Sequence, residues 1–338
     1  MSRGISPDLN SMEIEESERV EIRRREGTRT QSISVVIPVY NSAGGLAILV
    51  KRLAPVLAAL TGEYEGILVN DGSSDQSWEV IEDLHRTYGW LRGINLMRNY
   101  GQHSALLCGI RAARHAVIVT IDDDLQNPPE EIPKLIEELN RGHDVVYGVP
   151  LAEQHGLWRD AASRLTKIGL QSAMGAETAR NVSAFRAFRK NVRKAFRHYD
   201  GPFVSIDVLL TWGTKRFGSV RVLHEARQLG ASNYTFVKLA RHAIDLITGF
   251  TTLPLRVATL IGFAFCLFGG GVLVFVMGRY FLDGSTVPGF SFLASLISIF
   301  SGAQLCALGI IGEYLGRMHC RTMGIPSAVV RDEIGWER

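Results

Sequence analysis

The sequence predicts an α/β protein, a mainly parallel sheet with helices on both faces, followed by an interfacial helix and two membrane-crossing helices. Three observations carry this reading. Short β-branched runs alternate with helix-length segments from residue 32 to about 150, the order that a parallel sheet requires. Polar and acidic residues stand at three strand ends, where open α/β sheets place their ligands. Two stretches near the C-terminus are apolar over lengths that match a bilayer.

The elements follow in order. Residues 1–31 mix Glu13, Glu15, Glu16 and Glu18 with Arg23, Arg24 and Arg25, and read as a mobile tail with a short helix near 12–26. Ile33–Ile37 is a strand ending at Pro38-Val39-Tyr40-Asn41, and 44–60 a helix. Gly66–Asn70 is a second strand; the turn Asp71-Gly72-Ser73-Ser74-Asp75 puts Ser74 or Asp75 in place to cap the next helix. Leu91–Leu96 is a third strand and Ser104–Arg114 a helix. Residues 115–121 have the β-branched composition of a strand buried on both faces. A helix from Pro129 to about Asn140 and a strand at Asp144–Gly148 complete the regular part. Beyond it, a helix near 158–174, a strand around 181–186, a helix near 189–198 and a strand near 217–224 are expected.

The C-terminal third changes character. Thr235–Phe250 sets Phe236, Leu239, Leu246 and Ile247 on one helical side and Lys238, Arg241 and His242 on the other, as a helix lying at a membrane interface does. Val257–Gly278 carries no charge over 22 residues, and Gly284–Gly312 is also uncharged, giving spans at about 256–278 and 289–312. Glu313 is placed to pair with Arg317 at i+4. Arg241, Arg256, Arg317 and Arg321 flank the outer ends, which puts both termini in the cytoplasm. The expected organisation is a tail over 1–31, a catalytic-type domain over 32–230, a juxtamembrane segment over 231–254, the spans within 255–317 and a cytoplasmic tail over 318–338.

Composition bounds the function. The 338 residues allow about two domains. A net charge of +3, from 37 basic and 34 acidic residues, is too small to indicate nucleic acid. Four scattered cysteines show no metal, redox or disulfide spacing. The first residues contain no apolar signal region, so the first domain is expected to stay in the cytoplasm. No Gly-x-Gly-x-x-Gly follows the first strand and no Gly-Lys-Ser/Thr loop is present, which argues against dinucleotide oxidoreductases and P-loop enzymes.

The chemistry centres on Ile121-Asp122-Asp123-Asp124-Leu125-Gln126. Three successive carboxylates repel one another unless a cation or a set of donors holds them. A divalent metal shared with a diphosphate meets that need. A solvated acidic turn is the alternative, and Asn127-Pro128-Pro129 is turn chemistry. Gln102 and His103 face the same region, His103 as a helix cap or as a chemical group.

Taken with Val36-Ile37-Pro38-Val39-Tyr40-Asn41, Asp71-Gly72-Ser73-Ser74-Asp75, Arg98-Asn99-Tyr100-Gly101-Gln102-His103-Ser104, Phe185-Arg186 and Gly312-Glu313-Tyr314-Leu315-Gly316-Arg317, this stretch resembles family 2 glycosyltransferases of the GT-A fold. The closer similarity is to polyprenyl-phosphate glycosyltransferases: dolichol-phosphate mannose synthases, bactoprenol glucosyltransferases and, above all, undecaprenyl-phosphate aminoarabinose-type transferases. The resemblance implies a Rossmann-like mixed, mainly parallel sheet. It implies inverting transfer of a sugar from a nucleotide-sugar, a UDP-sugar by expectation, to undecaprenyl or another polyprenyl phosphate, serving cell-envelope glycan or lipid modification. It puts Pro38, Tyr40, Asn41, Asp71 and Asp123 on the nucleotide, and Asp122 and Asp124 on Mg²⁺ or Mn²⁺ and the diphosphate as the catalytic pair. Arg186, Arg227 and Ser232 fall to the acceptor phosphate. The partners expected are the donor, the lipid acceptor, membrane lipids and further copies of the chain in a homo-oligomer such as a tetramer, with no nucleic acid. The chain departs from the family pattern at Ser42, at Val149-Pro150 and at Gly230-Ala231-Ser232-Asn233-Tyr234, on the sugar and acceptor side. Two other readings use the same residues: a membrane-anchored transferase elongating a glycan, and a non-catalytic membrane scaffold.

Overall fold

The computed structural model describes residues 31–151, 181–201, 203–225, 248, 252–283 and 289–336. The N-terminal tail, the helix expected over 158–174, most of the 235–250 segment, Arg227 and Ser232 lie outside these residues. In chain order the elements are β1 (Ile33–Val39), α1 (Ala43–Leu60), β2 (Tyr64–Asn70), α2 (Ser77–Thr87), β3 (Leu91–Leu96), α3 (Gln102–Ala112), β4 (Val117–Thr120) and α4 (Ile132–Asn140). Then come β5 (Val145–Pro150), β6 (Arg186–Arg189), α5 (Ile206–Gly213), β7 (Phe217–Val222), α6 (Leu253–Asp283), α7 (Phe290–Thr322) and β8 (Val330–Ile334).

The eight strands form one sheet in the order β7-β5-β6-β4-β1-β2-β3-β8. Its centre, β4-β1-β2-β3, is parallel, while β6 and β8 run antiparallel to their neighbours. Alternation along β1 sorts the core into two layers. Val35, Ile37 and Val39 meet Leu49, Leu53, Ile81 and Leu135 from α1, α2 and α4. Val36 turns to the other face, where Leu106, Ile110 and Leu209 of α3 and α5 cover the sheet. Gly109 lets α3 lie close, since a β-carbon there would stand 2.4 Å from Val36 Cγ1. That contact sets the height of the α3 N-terminus above the strand ends.

Several elements differ from the expectation. The strand expected around 181–186 begins at Arg186, and a 3-10 helix, Lys190–Ala195, replaces the α-helix expected over 189–198. The short helix α5 and the last strand β8 were not anticipated. Residues 330–334, expected within a tail, pair with β3 and close that edge of the sheet. The two apolar helices run longer than their uncharged cores, over 253–283 and 290–322. Among the described residues, their most apolar windows, Leu253–Val272 and Ile299–Thr322, bury none inside the protein. By length and composition α1 could also cross a bilayer. It is a core helix, because Leu46, Leu49, Val50, Leu53 and Leu57 are spent on the sheet.

The helix pair leaves the domain after β7 and returns to it at β8. At the returning end, the Arg317 guanidinium lies 4.1 Å from the Phe203 ring centroid, in the segment between β6 and α5. It also pairs with Glu313 at 2.7 Å, as the i+4 spacing predicts.

Candidate active site

The carboxyl ends of β1, β2 and β4 open into a cleft of about 440 Å³. Pro38 and Tyr40 line it from β1, Asp71 from β2, Asn99, Gly101 and Gln102 from the loop before α3, and Asp122 to Asp124 with Gln126 from the turn after β4.

The acidic turn separates three like residues. Leu125, fully buried, takes a positive φ of 61°, a conformation in which a bulky side chain is strained. Asp122 accepts from Gln102 Nε2 at 2.7 Å. Asp123 turns toward β1 and accepts the Tyr40 N–H at 3.2 Å. Asp124 accepts the Gln126 N–H at 3.1 Å. Burial, then the charges of Asp124 and Asp123, push the Asp122 carboxyl up to about 7, against the pull of Arg186 and Gln102. Burial raises Asp123 as well. Carboxylates whose charge is disfavoured by burial and by like neighbours gain from an added cation, and oxygen donors of this kind suit a hard divalent one. Asp122 and Asp124 supply such oxygens at the cleft, and Mg²⁺ is commonly held by one or two carboxylates with the remaining positions left to phosphate oxygens and water.

Asp71 and Asn41 organise loops. The two Asp71 oxygens accept the N–H groups of Tyr100 and Gly101 at 2.7 and 2.8 Å, while burial raises its pKa. Each oxygen keeps a lone pair for a ligand in the cleft. Gly72, at φ 63°, lies so close to the Arg98 backbone that a β-carbon would stand 2.4 Å from its carbonyl carbon. Asn41, at φ 53°, spends its side-chain oxygen on the Ser74 N–H at 2.8 Å and gives its own N–H to Ser73 Oγ at 3.0 Å. It stands beside the cleft without lining it. Asp75 accepts the Ser77 N–H at 3.1 Å, so it does serve the start of α2, although Gln76 holds the cap position.

Arg186, expected at the acceptor phosphate, instead lies 1% exposed on β6, beneath the acidic turn. Its Nε donates to Thr120 Oγ1 at 3.0 Å and its Nη1 to Asp207 on α5. Tyr147 also donates to Asp207, at 3.1 Å. The guanidinium therefore supports the floor of the site by charge and does not reach a ligand at its mouth. Neither Thr120 nor Asp207 carries a local sequence signal, since the contact spans separate strands and α5. His103 accepts the Ile206 N–H at 3.4 Å and so ties α3 to α5.

The site meets an established family in sequence. Residues 34–197 match the family described as Glycosyl transferase family 2. Over 316 residues the chain is 35% identical to an undecaprenyl-phosphate 4-deoxy-4-formamido-L-arabinose transferase of Yersinia enterocolitica, spanning 93% of this chain and 97% of that protein. The chain belongs to glycosyltransferase family 2. A transferase of the same name from Photorhabdus laumondii is 35% identical over 308 residues, 90% of this chain and 95% of its own length. The fold of this glycosyltransferase is GT-A-like. A solved structure of glucosyl-3-phosphoglycerate synthase from Mycobacterium tuberculosis superposes with a TM-score of 0.50 at 17% identity, over 66% of this chain and 79% of that one.

Proposed function

We propose that this glycosyltransferase moves a sugar from a UDP-sugar to undecaprenyl phosphate or a related polyprenyl phosphate at the cytoplasmic face of the membrane, inverting the anomeric centre. The observation that carries the reading is one chain joining the acidic cleft to two apolar helices whose windows bury nothing inside the protein. A lipid-borne acceptor and a water-soluble donor both need such a molecule. The relatives' names support undecaprenyl phosphate as acceptor and make a 4-deoxy-4-formamido-L-arabinose donor the first to try.

Asp122 and Asp124 would hold Mg²⁺ or Mn²⁺ against the donor diphosphate. Bound there, the cation neutralises the charge that develops on the departing nucleotide. Pro38 and Tyr40 wall the nucleotide; Asp123 fixes the Tyr40 backbone, and Asp71 holds the opposing loop in place. The nucleophile is a phosphate oxygen. A phosphate monoester has its second pKa near ~6, so it needs no strong protein base at neutral pH. Arg227 and Ser232 are assigned to the acceptor phosphate. In support, Glu225, two residues before Arg227, donates its N–H to the Gln126 carbonyl beside the acids at 2.8 Å. A guanidinium can grip phosphate bidentately, a geometry that lysine cannot reproduce.

Purified enzyme incubated with a panel of nucleotide-sugars and undecaprenyl phosphate should yield one glycosyl-lipid by mass spectrometry. A product that forms on soluble glycan while the lipid phosphate stays untouched would overturn the reading. Arg227→Lys should lose most lipid transfer and keep donor affinity near that of the parent.

A further inference from the structure

Beyond the cleft itself, a line of hydrogen-bonded polar groups, buried at its middle, crosses the sheet from the segment that follows the two apolar helices. Asp332 on β8 accepts from Asn95 Nδ2 at 3.3 Å. Asn95 Oδ1 accepts from Asn70 Nδ2 at 2.9 Å, and Asn70 Oδ1 takes the Ser73 N–H at 3.4 Å. Ser73 Oγ in turn accepts the N–H of Asn41. The amides of Asn70 and Asn95 are 3% and 6% exposed. The donors point the same way, toward the Asp332 carboxylate, and through the Asn70 and Asn95 amides each bond polarises the next. A second route, through the Met97 backbone, runs alongside. The Met97 N–H donates to the Val329 carbonyl and Arg331 donates to the Met97 carbonyl, both at 2.9 Å. Met97 leads directly into the Arg98–Gly101 loop that Asp71 holds and Gly72 abuts.

We infer that Asp332, Asn95 and Asn70 are positioning residues for the donor side of the site, with β8 setting the order of both loops that face the nucleotide. Buried amides in a sheet interior are otherwise unfavourable, because leaving one unpaired costs more than an apolar side chain would. Here they connect an edge strand, more than 230 positions along the chain from Asn95, to the turns at 71–74 and 97–101. The inference deepens the proposed donor site and rests on it for the nucleotide readout.

The test uses the full-length enzyme in nanodiscs, with two cuts in the relay. Asn95→Ala breaks it in the buried middle; Asp332→Ala breaks it at the exposed end, where folding is least at risk. Amide hydrogen exchange without ligand should quicken on the order of tenfold in 71–74 and 97–101, as the loss of a well-placed hydrogen bond predicts. Affinity for UDP with Mg²⁺, by calorimetry, should weaken by about five- to tenfold. The KM for undecaprenyl phosphate and kcat should stay within about twofold, since the acceptor side is untouched. Asp332→Asn, which keeps an acceptor oxygen, should restore both readouts. Unchanged exchange in 71–74 in both cut variants would overturn the relay, as would an equal fall in donor affinity, kcat and melting temperature. If exchange responds and the parent binds no UDP, the relay stands and the UDP assignment fails.

Discussion

Asp122, Asp123 and Asp124 are identical side chains given three directions by one turn, and their expected sensitivities differ accordingly. Asp124→Asn should abolish turnover, and excess chelator should do the same to the parent, with lipid product followed by mass spectrometry; full activity in chelator would remove the metal from the mechanism. Asp207→Ala should act on folding instead, because it leaves the buried Arg186 charge without its partner. The loss should be about 3–5 kcal/mol, visible in the melting midpoint. Replacing both Arg186 and Asp207 by apolar residues of similar volume should recover most of it. The acids were legible in the sequence because their meaning is local: an apolar strand, three carboxylates, a proline turn. The place of Arg186 is not legible in the sequence, because its partners come from β4 and α5. Asn41 and Asp71 carry a nucleotide role only by resemblance; the loop latches they form appear once the strand ends are side by side.

At the scale of elements, the parallel centre of the sheet was legible from β-branched runs and helix-length spacing. The helix α5 was not, since Ile206-Asp207-Val208-Leu209-Leu210 is too short to show a helical period. The last strand was missed because Val330-Arg331-Asp332-Glu333-Ile334 is an exposed edge rich in charge, which reads as a tail. Glu65 on β2 ties β1, β3 and the loop before β4 together at the other end of the sheet: it accepts from Ser34 at 2.6 Å, from Arg92 at 2.6 Å and from the Arg114 N–H at 2.7 Å. Burial alone would raise its pKa; these bonds and the Arg92 charge overcome that and hold it below its ordinary 4.5. A depressed carboxylate stabilises the fold fully above its unfolded pKa, and that stability is lost as pH falls through the folded value. The melting midpoint should therefore drop from about pH 4.5 downward, and Glu65→Gln should flatten that acid limb while lowering the midpoint at neutral pH. Gly109→Ala should push α3 away from Val36 and misplace Gln102, lowering activity and stability together, as paired thermal and rate measurements would show.

For the whole molecule, the helix pair stands in sequence between β7 and β8, two strands of one sheet; on the proposed function, in which both helices cross the bilayer, the chain returns to the side it left. A cysteine placed at Ser285, between α6 and α7, should react with an impermeant reagent added outside sealed cells. Labelling confined to the cytoplasmic side would invert the topology. The same arrangement bears on how the enzyme is made. Synthesis runs from the N-terminus, and β3 is complete long before β8 emerges, with the whole membrane hairpin translated in between. Until then the β3 edge offers unpaired backbone groups to any passing strand. The catalytic sheet thus reaches its final form only after both apolar helices have been made, and a chain interrupted before β8 would be left with an open, aggregation-prone edge for quality control to find.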